Sequence, residues 1–479
     1  MTLISQQKNK IIKGGFFLSI SNVFAQITSV IVNIFLARIL IPNDFGVFAL
    51  ANASIGFISV ITSVGFGSAI INNQNTTQTQ ISTLYWLNFI TGSITLLLVF
   101  FIAPVYERFY ESNGLADIIR FSGISIIITP FFITHLKILE RDLEFKKISF
   151  ILIASSFLSS TFSIISAYSG FGIYSLVVQA ISMNIIKLVL TLYYCKWKQS
   201  FIFKINDCKH MIWFALKYRT SQAVQFFERN IDYLILGKLI NSLVLGYYSF
   251  AFNIMYMPVK RIADIFRDIL FPSFSKLKNE PEKLIIGYLK SLRLIMMVSF
   301  PLMLIISFNC KIIILTIFGE KWIEATQIIS ILSIGGAFQS ITQFGDIIFT
   351  SLGSPEKTIY ISLSRILGTI FSILIGIQFG IIGVSYFLTI SKILSFLFIL
   401  YLLHKQISLK FNSLFEQIKG NLLSISLLIV LELLFRYVFP NLLNTWLKTL
   451  LSSGFIAILM FITNLKLINE IKSTLKTKI

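Results

Sequence analysis

Long apolar runs, separated by short polar loops, account for most of this sequence. A helix of about 20 apolar residues crosses the hydrocarbon core of a bilayer. On that length, the pattern predicts fourteen membrane-spanning helices and an all-α polytopic membrane protein. The predicted helices lie near residues 14–37, 45–69, 82–105, 117–138, 147–168, 171–194, 213–238, 243–269, 284–308, 322–350, 357–377, 381–403, 420–438 and 446–465.

Composition and charge agree with a membrane protein. The chain has 479 residues, of which 55% are hydrophobic and 13% charged, whereas soluble domains have about 25% charged residues. The net charge of +20 comes mostly from every second loop, that is, from the short loops predicted on one side of the membrane. This distribution is the usual orientation signal of membrane proteins, so we expect cytoplasmic termini, attraction to membrane lipids and no nucleic-acid partner.

The first and second halves of the chain resemble each other. A shift of 200 residues places Leu36–Leu40 on Leu236–Ile240, and Gly46 and Ala51 on identical residues. The repeat predicts two parallel six-helix lobes, an arrangement found in transporters with a site between the repeats. The predicted organisation is a first lobe at 1–194, a cytoplasmic linker at 195–212, a second lobe at 213–404, and an appended helix pair with a cytoplasmic tail at 405–479.

Charged residues are concentrated in the seventh and eighth predicted helices. A charge at the bilayer centre costs about 2.5 to 3.5 kcal/mol on insertion scales, so such side chains usually face a bundle interior or a watery cavity. For Arg229 the alternative is a buried structural ion pair. For Arg219 it is a position at the membrane interface, and for the cluster near Lys260 it is a charged helix end. The predicted substrate-binding cations are Arg219, Arg229, Lys260, Arg261 and Arg365.

Acidic residues are fewer in these helices. Glu228 and Asp232 are four residues apart and should therefore share one helix face. Together with Asp346 they are candidates for binding a coupling proton or Na⁺. Because cations outnumber acids, the predicted cavity favours an anionic substrate, and the planar fork of Arg suits phosphate in particular.

Three segments of the chain form recognisable motifs: NIFLARILIPNDFGVFALA at Asn33–Ala51, FNIMYMPVKRIADIFRDILFPSFSKL at Phe252–Leu277, and IFGEKW at 317–322. They resemble segments of the bacterial polysaccharide and oligosaccharide flippases of the multidrug/oligosaccharidyl-lipid/polysaccharide exporter superfamily. The resemblance implies a V-shaped, MATE-like fold with basic residues lining the cavity. The two last helices resemble the pair that forms a lipid groove in flippases of peptidoglycan precursors.

The resemblance also implies a function. It is the transfer of a polyprenyl-pyrophosphate-linked oligosaccharide from the inner to the outer leaflet of the bacterial cytoplasmic membrane, for O-antigen, capsule or exopolysaccharide synthesis. The implied partners are that lipid-linked substrate, membrane lipids, and a polysaccharide polymerase and glycosyltransferases.

Two alternatives remain at this point: a multidrug/cation antiporter of the same superfamily, and a membrane-bound glycan polymerase or ligase. The antiporter would need an acidic site, whereas basic residues dominate here. The sequence contains no nucleotide-binding loop or catalytic pair, and its three cysteines lack metal-type spacing. We therefore expect a protein that is not an enzyme and that uses neither metal nor cofactor.

Overall fold

Helices make up almost all of the structure. The computed structural model describes residues 2–62, 65–73, 76–277, 280–352, 354–407, 409, 411–438 and 454. The helices are α1 (Thr2–Ile39), α2 (Pro42–Thr62), α3 (Gly67–Asn72), α4 (Gln78–Tyr110), α5 (Leu115–Arg141), α6 (Phe145–Tyr168), α7 (Tyr174–Tyr194), α8 (Lys209–Leu239), α9 (Ser242–Lys276), α10 (Pro281–Ile317), α11 (Ala325–Ser351), α12 (Pro355–Gly376), α13 (Gly380–Ile407) and α14 (Phe411–Val438).

The predicted all-α membrane class is confirmed. Nine stretches of the described residues are long and apolar enough to span a bilayer, one of them containing both α12 and α13. The prediction of one unbroken helix at 45–69 is wrong, because α2 ends at Thr62 and Gly65 has a left-handed φ of 67° before α3. The predicted helix at 446–465 lies outside the described residues apart from Gly454, so the count of fourteen stays a prediction.

The chain forms two compact units, Met1–Gly246 and Tyr247–Ile479. In the first unit α8 packs antiparallel to α2. A Cβ atom on Gly237 would lie 2.5 Å from a methyl of Leu50, and near the other end the rings of Phe57 and Phe227 are 5.8 Å apart. The first unit thus includes α8, which the repeat assigns to the second lobe. The predicted lobe boundaries stay a prediction.

Two glycines allow the first turns of α2 and α9 to touch through their backbones. A Cβ atom on Gly46 would overlap the carbonyl oxygen of Ser242, and a Cβ atom on Gly246 would overlap that of Pro42. The contact is reciprocal, and its two sides are related by the same 200-residue shift that relates the two halves of the sequence. Any side chain at these positions would force the two helix ends apart.

The IFGEKW segment anchors the turn between α10 and α11. Gly319 has a φ of 99°, a conformation that glycine adopts without steric cost. The following turn buries Trp322 completely, with its ring stacked on Phe250 at a centroid distance of 3.8 Å. The motif therefore has a structural role in the second unit.

Residues 195–208 connect α7 to α8, and we refer to them as the linker strap. Both ends are buried, since Cys195 and Cys208 belong to a hydrophobic cluster with residues of α3, α4, α5, α6 and α8. Between the ends, side chains near the start of α4 bind the backbone of the strap. The bonds run from Gln78 Nε2 to Lys198 O (2.7 Å), from Gln80 Nε2 to Asp207 O (2.9 Å), from Trp86 Nε1 to Ser200 O (3.0 Å), from Ser200 N to Ser82 Oγ (3.0 Å) and from Lys204 N to Thr83 Oγ1 (3.1 Å).

Replacing Gly46 with Ala tests the helix contact. We expect a loss of about 1 to 3 kcal/mol of stability, because the backbone of Ser242 cannot move aside as a flexible side chain can. The measurement is the thermal unfolding midpoint of the purified protein in detergent. Gly15→Ala is the matched control, since a Cβ atom there meets nothing within 4 Å. Equal midpoints for the two variants would contradict the close contact.

Candidate functional site

Arg219 binds the end of α2. Its Nε donates to the carbonyl oxygen of Val60 at 3.3 Å, and its Nη2 donates to that of Ser59. The last carbonyls of a helix have no partner within the helix, and a cation near a helix C-terminus is favoured by the helix dipole. Arg219 therefore stabilises the contact between α8 and α2, in addition to any role towards a substrate.

The other predicted residues of α8 differ in exposure. Arg229 is exposed, Glu228 is half-buried and Asp232 is only 4% exposed. The Oδ1 of Asp232 accepts a hydrogen bond from the backbone N–H of Tyr233 at 3.0 Å. The helix thus presents its arginine outward and keeps its aspartate among packed side chains, so that the two charges lie in different environments.

Lys260 and Arg261 lie on α9 beside a buried face of that helix. Lys260 is exposed and Arg261 is half-buried, while Val259, Ile262 and Ala263 are buried. One turn further, Asp264 and Arg267 form an ion pair of 3.6 Å between partly exposed side chains. The two cations therefore lie at the edge of the packed face of α9.

Arg365 and Asp346 form a buried ion pair between α12 and α11. Arg365 Nη1 donates to Asp346 Oδ2 at 2.9 Å, and Nη2 donates to Asp346 Oδ1 at 3.1 Å. Nη2 also donates to the carbonyl oxygen of Thr342 at 3.1 Å. The side chain of Arg365 is 6% exposed and that of Asp346 is 29% exposed.

The sequence analysis treated Arg365 as a cavity cation and Asp346 as a separate ion-coupling candidate, and both roles stay predictions. The two are direct partners, and their bidentate geometry is the strongest form of charge-assisted hydrogen bonding. The physical reason is that an arginine in an apolar helix needs a compensating group. A carboxylate on the preceding helix supplies it.

The structure therefore places the eight predicted site residues in different settings. Glu228, Arg229 and Asp232 lie on one helix with Arg219, and Arg365 with Asp346 closes a salt bridge. Sequence reasoning missed the acceptors of Arg219 and Arg365 on the backbone, because carbonyl groups leave no mark in a sequence. Within the part of the chain that the structure describes, no group of three or more His, Cys, Asp or Glu side chains could hold a metal ion.

Two solved structures have the same fold as this chain. The lipid II flippase MurJ, in an inward closed conformation, matches 95% of this chain and 100% of its own, with a TM-score of 0.75 and 15% identity. An inward-facing multidrug resistance MATE family transporter of the MOP superfamily matches 80% of this chain and 94% of its own, with a TM-score of 0.65 and 13% identity. This chain therefore shares its fold with a lipid II flippase and with a MATE family transporter.

The chain belongs to the polysaccharide biosynthesis protein family, whose model matches residues 35–327. It is 28% identical over 365 residues to the teichuronic acid biosynthesis protein TuaB of Bacillus subtilis (strain 168), covering 76% of each chain. It is 21% identical to the lipopolysaccharide biosynthesis protein WzxC of Escherichia coli (strain K12), covering 70% of this chain and 68% of the relative. The resemblance found in the three sequence motifs is thereby confirmed, and the protein is a multi-pass membrane protein.

A double-mutant cycle tests the Arg365–Asp346 pair. Asp346→Leu should cost about 3 to 5 kcal/mol, because a buried guanidinium loses its carboxylate. Adding Arg365→Met should recover much of that loss, since the remaining side chains are both apolar. The readout is again the thermal midpoint in detergent.

The partly exposed ion pair of Asp264 and Arg267 supplies the control for this cycle. Asp264→Leu should cost no more than about 1 kcal/mol, as is usual for surface ion pairs. Additive effects of Asp346→Leu and Arg365→Met would show that the two side chains do not stabilise each other.

Proposed function

We propose that this protein is a flippase for a polyprenyl-pyrophosphate-linked oligosaccharide, which it moves from the inner to the outer leaflet for surface polysaccharide synthesis. The observation that carries the proposal is membership of the polysaccharide biosynthesis family on a fold shared with a lipid II flippase. The relatives include a succinoglycan biosynthesis transport protein, ExoT of Rhizobium meliloti (strain 1021), which is 21% identical and covers 62% of this chain and 60% of its own.

The proposed contacts with the pyrophosphate are the accessible cations. Arg229 on α8 and Lys260 on α9 are exposed, and Arg261 is half-buried beside Lys260. Arg219 and Arg365 already bind protein acceptors, so a substrate would have to compete with those acceptors. We therefore assign Arg219 and Arg365 a secondary part in substrate binding, and Arg229, Lys260 and Arg261 the primary part.

The proposed mechanism is alternating access, in which the charged head group crosses the membrane while the prenyl tail stays in lipid. Outward movement of an anion is favoured by the membrane potential, by about 2.3 kcal/mol per charge per 100 mV. Glu228 and Asp232 are the proposed positions for a coupling proton or Na⁺. Asp346 is the weaker third candidate, because Arg365 already neutralises its charge.

The proposed location is the bacterial cytoplasmic membrane, with both termini on the cytoplasmic side. The support is the lysine and arginine excess in alternate loops. In that position the protein would receive its substrate from glycosyltransferases and deliver it to a polysaccharide polymerase.

A multidrug antiporter has the same fold, so the fold does not separate the two functions. The family match favours the flippase, and so do the accessible cations, which would repel a cationic drug. Drug efflux from cells that overproduce the protein distinguishes the functions directly. Ethidium export that depends on Glu228 or Asp232 would favour the antiporter.

Substitution of Arg229 tests the proposed site. Arg229→Gln should slow head-group transfer roughly 10- to 100-fold, since a charge-assisted hydrogen bond contributes about 1.5 to 3 kcal/mol. Arg229→Lys should retain more activity than Arg229→Gln. The measurement is the amount of lipid-linked glycan on the inner leaflet of a deletion strain that carries each variant.

Lys311→Gln is the matched control, because Lys311 is an exposed cation on α10 outside the proposed site. It should leave the inner-leaflet glycan at the wild-type level. If Arg229→Gln behaves like Lys311→Gln, Arg229 has no part in transport.

A further inference from the structure

The linker strap presents an unusual combination of side chains to its surroundings. Phe201 is 89% exposed, and Ile202, Phe203 and Ile205 are also exposed. Among them lie exposed lysines, and Asp207 is the only acid between residues 195 and 210. The exposed lysines are Lys196, Lys198 and Lys204 in the strap and Lys209 at the start of α8.

The position of the strap places these side chains at a membrane surface. The strap follows the last residue of α7, Tyr194, and lies against the first turns of α4, which begins at Gln78. Both helices are long and apolar enough to span a bilayer. The end of one span and the start of another lie at the level of the lipid head groups, so the strap lies at that level too.

The hydrogen bonds to α4 hold the strap in this position. They bind its backbone at Lys198, Ser200, Lys204 and Asp207, so the exposed side chains project from a fixed support. The ring of Phe201 also lies 5.4 Å from that of Trp86, whose indole N–H binds the strap. A surface that is already ordered loses less conformational entropy when it binds a ligand.

We propose that the linker strap is a binding surface for anionic phospholipid head groups of the adjoining leaflet. Lys196, Lys198, Lys204 and Lys209 contact the lipid phosphates. Phe201 and Phe203 enter the boundary between head groups and acyl chains, where aromatic side chains are favoured. The phospholipid anchors the connection between α7 and α8 to the membrane, independently of which substrate the protein transports.

Charge and shape support phospholipid as the occupant. Each basic residue near an anionic membrane surface adds to the attraction. Residues 195–210 contain four lysines and one acid, Asp207. Aromatic and aliphatic side chains between the lysines match the acyl boundary of a lipid.

The first experiment measures binding of fluorescent phosphatidylglycerol and phosphatidylcholine to the purified full-length protein in detergent. We expect tighter binding of phosphatidylglycerol, and a loss of at least tenfold when all four lysines are changed to Gln. The matched control changes four other exposed lysines to Gln: Lys276, Lys311, Lys405 and Lys419. It should weaken binding less than the strap variant does.

Three results would overturn the proposal. They are equal binding of the two phospholipids, equal losses in the strap and control variants, and complete displacement of phosphatidylglycerol by an equimolar polyprenyl pyrophosphate. The last result would assign the surface to the substrate.

A second experiment does not depend on the folding of a quadruple variant. A photoreactive benzoylphenylalanine at position 201 replaces one exposed aromatic side chain with another in the full-length protein. In vesicles of phosphatidylglycerol and phosphatidylcholine it should form cross-links to lipid. Absence of lipid cross-links at position 201 would contradict insertion of the strap.

Discussion

The packing of helices within each unit depends on the need to compensate the arginines that lie between helices. Arg365 meets this need through Asp346, and Arg219 through the last carbonyls of α2. At the end of α8, Lys238 binds Glu111 at 2.7 Å, and this partner lowers the pKa of the Glu111 carboxyl by a side-chain hydrogen bond. Removing Asp346 would leave the buried guanidinium of Arg365 uncompensated, whereas the exposed Lys238–Glu111 pair contributes little to stability.

Most of the helices could be predicted from the sequence. Apolar length alone placed most of the helices, because a bilayer demands about 20 apolar residues for each crossing. The 200-residue repeat identified α8 and α9 as helices despite their charge, and Gly46 with Gly246 makes a contact that joins equivalent positions. The break between α2 and α3 was missed, since it depends on the local conformation of Gly65.

Partners across helices were harder to predict. Asp346 and Arg365 lie 19 residues apart on consecutive helices, and their opposite charges were the one available signal. The linker strap was predicted only as a connection, because the bonds that fix it run from α4 side chains to backbone groups more than 110 residues away in sequence. Backbone acceptors have no sequence signature, so the strap's fixed position becomes visible only in three dimensions.

The central claim is that the protein itself moves a lipid-linked glycan across a bilayer. The most direct measurement uses proteoliposomes that contain the purified full-length protein and a polyprenyl-pyrophosphate-linked oligosaccharide, with a glycosidase added outside. If the protein is a flippase, the glycan sealed inside becomes accessible to the glycosidase only in vesicles that contain the protein. A protected fraction that stays the same with and without the protein would contradict the account.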